Sequence, residues 1–94
     1  MVKHIVCFKL KDGESVAKAR DVLRSMEGNV PQLRGIEVGE DFLHSPRSYD
    51  LYLSVLVDDE AALADYQKDP YHVGVVKAHM HRVVEASVAV DFIL

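Results

Sequence analysis

Residues 49–57, YDLYLSVLV, constrain the fold more than any other stretch of this chain. Tyr49, Leu51, Leu53, Val55 and Val57 alternate with Asp50, Tyr52, Ser54 and Leu56. A period of two in β-branched and aromatic residues predicts a strand. One face of it is wholly apolar and calls for helices against it. The other carries two large side chains, Tyr52 and Leu56, and is not fully polar. A sheet built around this strand needs cover on both faces. A chain of 94 residues has only one small core to offer.

The remaining segments arrange themselves around that strand. Val2 to Lys11 alternates in the same way, with Val2, His4, Val6, Phe8 and Leu10 on one face and Lys3, Ile5, Cys7 and Lys9 on the other. KDGES breaks it, and Ser15 or Asp12 can cap the helix beyond. From Val16 the apolar residues Ala19, Leu23, Met26 and Val30 form one helical stripe, ended by Pro31. GIEVGEDFLH reads as a second strand weakened by its glycines, and SPRS as a loop. After the third strand, Asp58 or Asp59 caps a short helix with Ala62, Leu63 and Tyr66 inward. Asp69-Pro70 is a second helix start, since Asp suits the cap and Pro the first helical position. That helix runs to about Val84 with Val73, Val76, Met80 and Val83 or Val84 inward. SVAVDFIL is the last strand.

The order is β-α-β-β-α-β with its second helical region split. It predicts an α+β, ferredoxin-like domain over residues 1–94: a four-stranded antiparallel sheet with helices on one face. The open face, with Ile5, Cys7, Tyr52, Leu56 and Ile93, then predicts a homodimer packed sheet to sheet.

Composition removes several function classes. The formal charge is −4 and the basic residues are scattered, which argues against a nucleic-acid partner. No apolar run is long enough to span a membrane. MVKHIVCFKLK keeps its lysines throughout and reads as a strand, not a signal peptide. The one cysteine forms no internal disulfide. A cytoplasmic protein without metal or cofactor is the expectation; no phosphate loop, nucleophile elbow or ligand spacing is present.

The chemistry-bearing residues concentrate in YQKDPYHVGVV, Tyr66 to Val76. His72 falls in the first turn after Pro70, where the helix N-terminus favours a neutral imidazole. A neutral imidazole is a competent general base at neutral pH; a solvent-exposed histidine without a role fits the spacing equally. Tyr66 is either core or a pocket wall. His4 is either a core histidine bonded to a neighbour or a polar group in an apolar pocket. His79 lies near the face of His72 but no carboxylate joins them at a metal spacing. His81 points elsewhere, toward the surface, and His44 is a loop residue without a visible partner. Cys7 is an inert thiol within its strand.

VKHIVCFKLK, YDLYLSVLVDDEAALADYQKDPYHVGVV and VAVDFIL together resemble the stress-responsive A/B barrel family over essentially the whole chain. The resemblance implies a ferredoxin-like fold whose dimers close two sheets into an α/β barrel. One member class, the plant polyketide cyclases of the olivetolic acid type, closes a linear polyketide by intramolecular aldol condensation. Its Tyr/His pair has the separation of Tyr66 and His72, and a first-strand histidine matches His4. By that resemblance His72 removes a proton from the substrate, Tyr66 orients or assists it, and His4 lines the pocket with Val6, Phe8, Leu63, Val73 and Val76. The ligand is a small apolar or aromatic molecule. The family commonly has His-Pro where this chain has Asp69-Pro70, which places a carboxylate near His72 and raises its proton affinity. A family member with a pocket but no assigned activity, an aldol-type cyclase, and a structural oligomer without ligand are the three functional expectations.

Overall fold

The computed structural model describes residues 1–94. Its elements are β1 (Val2–Leu10), α1 (Val16–Arg24), β2 (Gly35–Glu40), β3 (Leu51–Val57), α2 (Glu60–Lys68), a π-helical segment (His72–Lys77), α3 (Ala78–Val83) and β4 (Val84–Ile93). The strands pair antiparallel in the order β2-β3-β1-β4. This is the ferredoxin-like arrangement that the alternation of strands and helices predicts.

Register decides which side chains meet the helices. His4, Val6 and Phe8 stand opposite Val55, Leu53 and Leu51 on one side and opposite Asp91, Ala89 and Ser87 on the other. Val55, Leu53 and Leu51 are almost wholly buried. Removing each such side chain from water contributes about 1.5–3 kcal/mol. The opposite face carries Ile5 and Cys7 beside Tyr52, Val88 and Val90, with Phe92 beside Lys3. Ile93 is not on that face. It pairs with Val2, so the alternation of β4 turns it to the helix side, and Phe92, Val90 and Val88 take its place on the open side.

The helix layer begins as the sequence predicts and ends differently. Ser15 Oγ accepts the Lys18 N–H at 3.0 Å and caps α1. Ala19, Leu23, Met26 and Val30 are all buried. The α-helix nevertheless stops at Arg24, and the stripe is completed by turns. Gly28 has φ +83, a left-handed conformation that a right-handed helix cannot pass through. Asp59, not Asp58, caps α2: its Oδ1 accepts the Ala62 N–H at 2.8 Å.

The helices cover β1, β2 and β3 and leave the helix-facing side of β4 bare. Ser87 and Ala89 point to that side and are exposed. No helix is long and apolar enough to cross a membrane.

Candidate functional site

A cavity of about 290 Å³ opens where the helix layer falls short of β4. β1 contributes His4, Val6 and Phe8; β4 contributes Val84, Ser87 and Ala89; the broken helix contributes Tyr66, His72, Val76 and Lys77. Most of the wall is apolar, with a few polar groups converging on it, the usual character of a small-molecule site.

The break at Asp69-Pro70 sets the position of His72. Asp69 is buried, and its Oδ1 accepts the backbone N–H groups of Tyr71 at 3.0 Å and His72 at 3.1 Å. The carboxylate is therefore taken up by the helix start and does not bond the imidazole ring. The ring instead stacks on Tyr66, with centroids 4.2 Å apart and planes 25° from parallel. His72 Nδ1 lies 2.9 Å from the carbonyl oxygen of Tyr66. A carbonyl only accepts, so Nδ1 carries the hydrogen and Nε2 holds the lone pair. The hydrogen bonds of His72 run through its backbone N–H and Nδ1, and none reaches Nε2. Burial lowers the proton affinity of His72 from the ordinary histidine value, the Tyr66 carbonyl opposes this, and the charges of Lys77 and Asp69 act in opposite directions. The balance favours the neutral ring.

His4 is fixed in a matching way. It is buried, and Asp91, directly opposite it on β4, accepts from its Nδ1. The one side-chain hydrogen bond of His4 is at Nδ1, and none reaches its Nε2. Its ring meets Tyr66 edge-on, with centroids 5.9 Å apart. Three rings thus run in a row, His4, Tyr66 and His72, with the tyrosine in the middle. The hydroxyl of Tyr66 points into the core and donates to Met26 Sδ at 3.7 Å, a weak bond. Burial holds that hydroxyl far above the ordinary tyrosine range. What Tyr66 gives His72 is a ring face and a carbonyl.

Not every expected residue reaches the cavity. Leu63 packs half-buried against the core on α2 and is not part of the wall. Val73 is 45% exposed, because the chain turns inward at His72 and the next side chain is carried round to solvent. The single α-helical stripe beginning at Val73 is corrected to His72, Val76 and Met80, set by a wider π turn. His81, expected to point elsewhere, is exposed but lines the rim. His79 is buried with its Nε2 unpartnered. His44 does have a partner, as its backbone N–H donates to Asp41 at 2.8 Å. No three His, Cys, Asp or Glu side chains converge as a metal site. Lys77 and Gln67 line the cavity without a motif to mark them; Asp91 lies in the VAVDFIL segment that carries the resemblance, but that it faces His4 follows only from the β1–β4 register.

The stress responsive A/B barrel domain family matches residues 2–94. An uncharacterised protein of Streptomyces coelicolor is 32% identical over 77 residues, covering 77% of this chain and 79% of its own length. A dimeric ferredoxin-like protein of unknown function from Thermobifida fusca superposes with a TM-score of 0.85 at 25% identity, over 99% of this chain and 90% of that one. A hydroxynitrile lyase from Passiflora edulis superposes with a TM-score of 0.82 at 17% identity, over 99% and 92% of the two chains, and so shares the fold.

Proposed function

The chain belongs to the stress-responsive A/B barrel family, and on that premise we propose that it works as a homodimer that holds a small, largely apolar molecule in the cavity, with His72 acting on it as a general base. The observation that carries this is the fixed tautomer of His72. Its Nδ1–H is tied to the Tyr66 carbonyl, which leaves the Nε2 lone pair without a hydrogen-bond partner in a residue that lines a largely apolar cavity. A neutral, oriented imidazole is what proton abstraction next to a carbonyl requires. Tyr66 orients it, and His4, held by Asp91, supplies a second ring nitrogen at the same cavity.

Aldol closure of a linear polyketide fits this arrangement. His72 removes a proton beside one carbonyl, the carbanion attacks a second carbonyl of the same chain, a carbon–carbon bond forms, and the new alkoxide takes up a proton. The dimer is supported by the apolar open face, where Val88, Val90 and Phe92 are 54%, 60% and 40% exposed. The dimeric description of the Thermobifida protein supports it as well. The cytoplasm is the compartment proposed for this small acidic chain.

The test uses a simple carbon acid. Acetophenone in deuterated buffer exchanges its methyl hydrogens slowly, and proton NMR follows the loss. The protein should accelerate exchange, and His72→Ala should lower that acceleration by about 100-fold or more while the dimer persists. Equal acceleration by the variant would sink the role of His72. A cavity that fails to bind small aromatic probes at all would leave the structural-oligomer reading.

A further inference from the structure

We propose that the cavity takes a small, largely apolar carboxylate, whose single negative charge is met by Lys77 at the end of the π-helical segment. This rests on the reading that the cavity binds a ligand, and it names the chemical class of that ligand.

The charge distribution around the cavity is the reason. The chain is acidic, with 15 Asp and Glu against 11 Lys and Arg. Yet no Asp or Glu lines the cavity, and Lys77 is the one lysine or arginine that does. The two carboxylates nearest the histidines are already engaged. Asp69 is taken up by the N–H groups of Tyr71 and His72, and Asp91 by His4. Neither is free to neutralise Lys77.

Lys77 itself is half-buried and has no carboxylate partner. Its Nζ donates to the main-chain carbonyl of Gln67 at 2.9 Å, which holds the ammonium against the wall. A half-buried cation held by one neutral carbonyl has donors left over and a desolvation cost that only an anion offsets well. Gln67 and Ser87, which also line the cavity, are neutral donors that suit a carboxylate's remaining lone pairs. One fixed cation matches one charge, and the apolar wall of Val6, Phe8 and Val76 selects the body of the molecule. Lys77 is a binding and positioning residue here: it would hold one end of the ligand while His72 meets the other.

The experiment compares two probes of the same shape, 2-naphthoate and 2-naphthamide, by isothermal titration calorimetry at neutral pH. The carboxylate should bind about five-fold tighter than the amide, the scale of a partly screened charge pair. Raising the ionic strength should shrink that preference. Lys77→Met keeps the apolar stem and should bring the two probes to equal affinity; Lys77→Arg should retain the preference for the carboxylate. Equal binding of the two probes by the unmodified protein, or a preference that survives Lys77→Met, would overturn the assignment while leaving the cavity a ligand site. If neither probe binds, the ligand reading falls and this assignment falls with it.

Discussion

One oxygen of Asp69 accepts the backbone N–H of His72 at 3.1 Å, and the imidazole of the same residue turns away to the carbonyl of Tyr66. The carboxylate therefore builds the start of the helical turn and acts on the ring only through space. Its charge raises the proton affinity of His72, but less than burial lowers it.

Exchanging Asp69 separates these two effects. Asp69→Asn keeps an acceptor for the two N–H groups and removes the charge. Stability should change little, and the His72 pKa measured by NMR titration should fall further. Asp69→Ala removes the cap and leaves buried N–H groups without a partner, which should cost about 1–2 kcal/mol in denaturant unfolding. A His72 pKa that rises in Asp69→Asn would contradict the through-space assignment.

Tyr66→Phe tests which part of the tyrosine matters. The hydroxyl reaches only Met26 Sδ. Its loss should cost less than about 1 kcal/mol, the scale of one hydrogen bond, because sulfur is a weak acceptor. The stacked ring and the carbonyl remain, so the Nδ1–H tautomer of His72 should persist in nitrogen NMR and exchange activity should stay near that of the parent. Tyr66→Ala removes a fully buried ring and should cost about 3–5 kcal/mol. Loss of activity in Tyr66→Phe without loss of stability would assign the hydroxyl a direct role.

The sheet is legible in the sequence because alternation survives burial. Val2 to Phe8 and Leu51 to Val57 name their own faces, and the register then agrees with them. The helix starts are legible because a short polar side chain just before an apolar stripe has few other uses, although Ser15 is chosen over Asp12 and Asp59 over Asp58 only by the structure. The exit of α1 is not, because Gly28 inside a helical stripe reads as a weakness until its left-handed φ is known. The π segment is not, because a widened turn leaves no mark in a three-and-four spacing; it moves the inward position from Val73 to His72. Within the site, His4, Tyr66 and His72 can be named from the sequence. The contact of Asp91 with His4 depends on a pairing across 87 residues, and the place of Lys77 on a cavity that no residue spacing reveals.

Stability should fall in mild acid. Burial is the first cause lowering the proton affinity of both His72 and His79 from the ordinary value of 6.5. The unfolded chain then binds more protons than the native state between 6.5 and the lower native values, so stability is fully present above that window and is lost as pH falls through it. At fixed protein concentration, Tm should decline below pH 6.5, and His72→Gln should flatten the decline by removing one of the two groups. A Tm that holds steady through this range in the parent protein would show that neither histidine is kept neutral by the fold.

The open face of the sheet gives the last prediction. Val88, Val90 and Phe92 project there beside Cys7, Ile5 and Lys3, and Tyr52 and Leu56 extend the apolar surface across β3. The first three are exposed in the single chain and adjoin one another across the face, an apolar patch that a second copy can cover. A second copy covering it would gain roughly 25 cal/mol for each Å² of apolar area buried. Val90 pairs with Ile5 on the central strand β1, so a charge there meets the partner's apolar surface and finds no counter-ion. Val90→Lys should give a monomer in sedimentation at micromolar concentration, where the parent is a dimer. Because Val90 faces away from the helices, the variant should keep the parent's far-ultraviolet circular dichroism. A dimer of unchanged affinity in Val90→Lys would place the interface elsewhere.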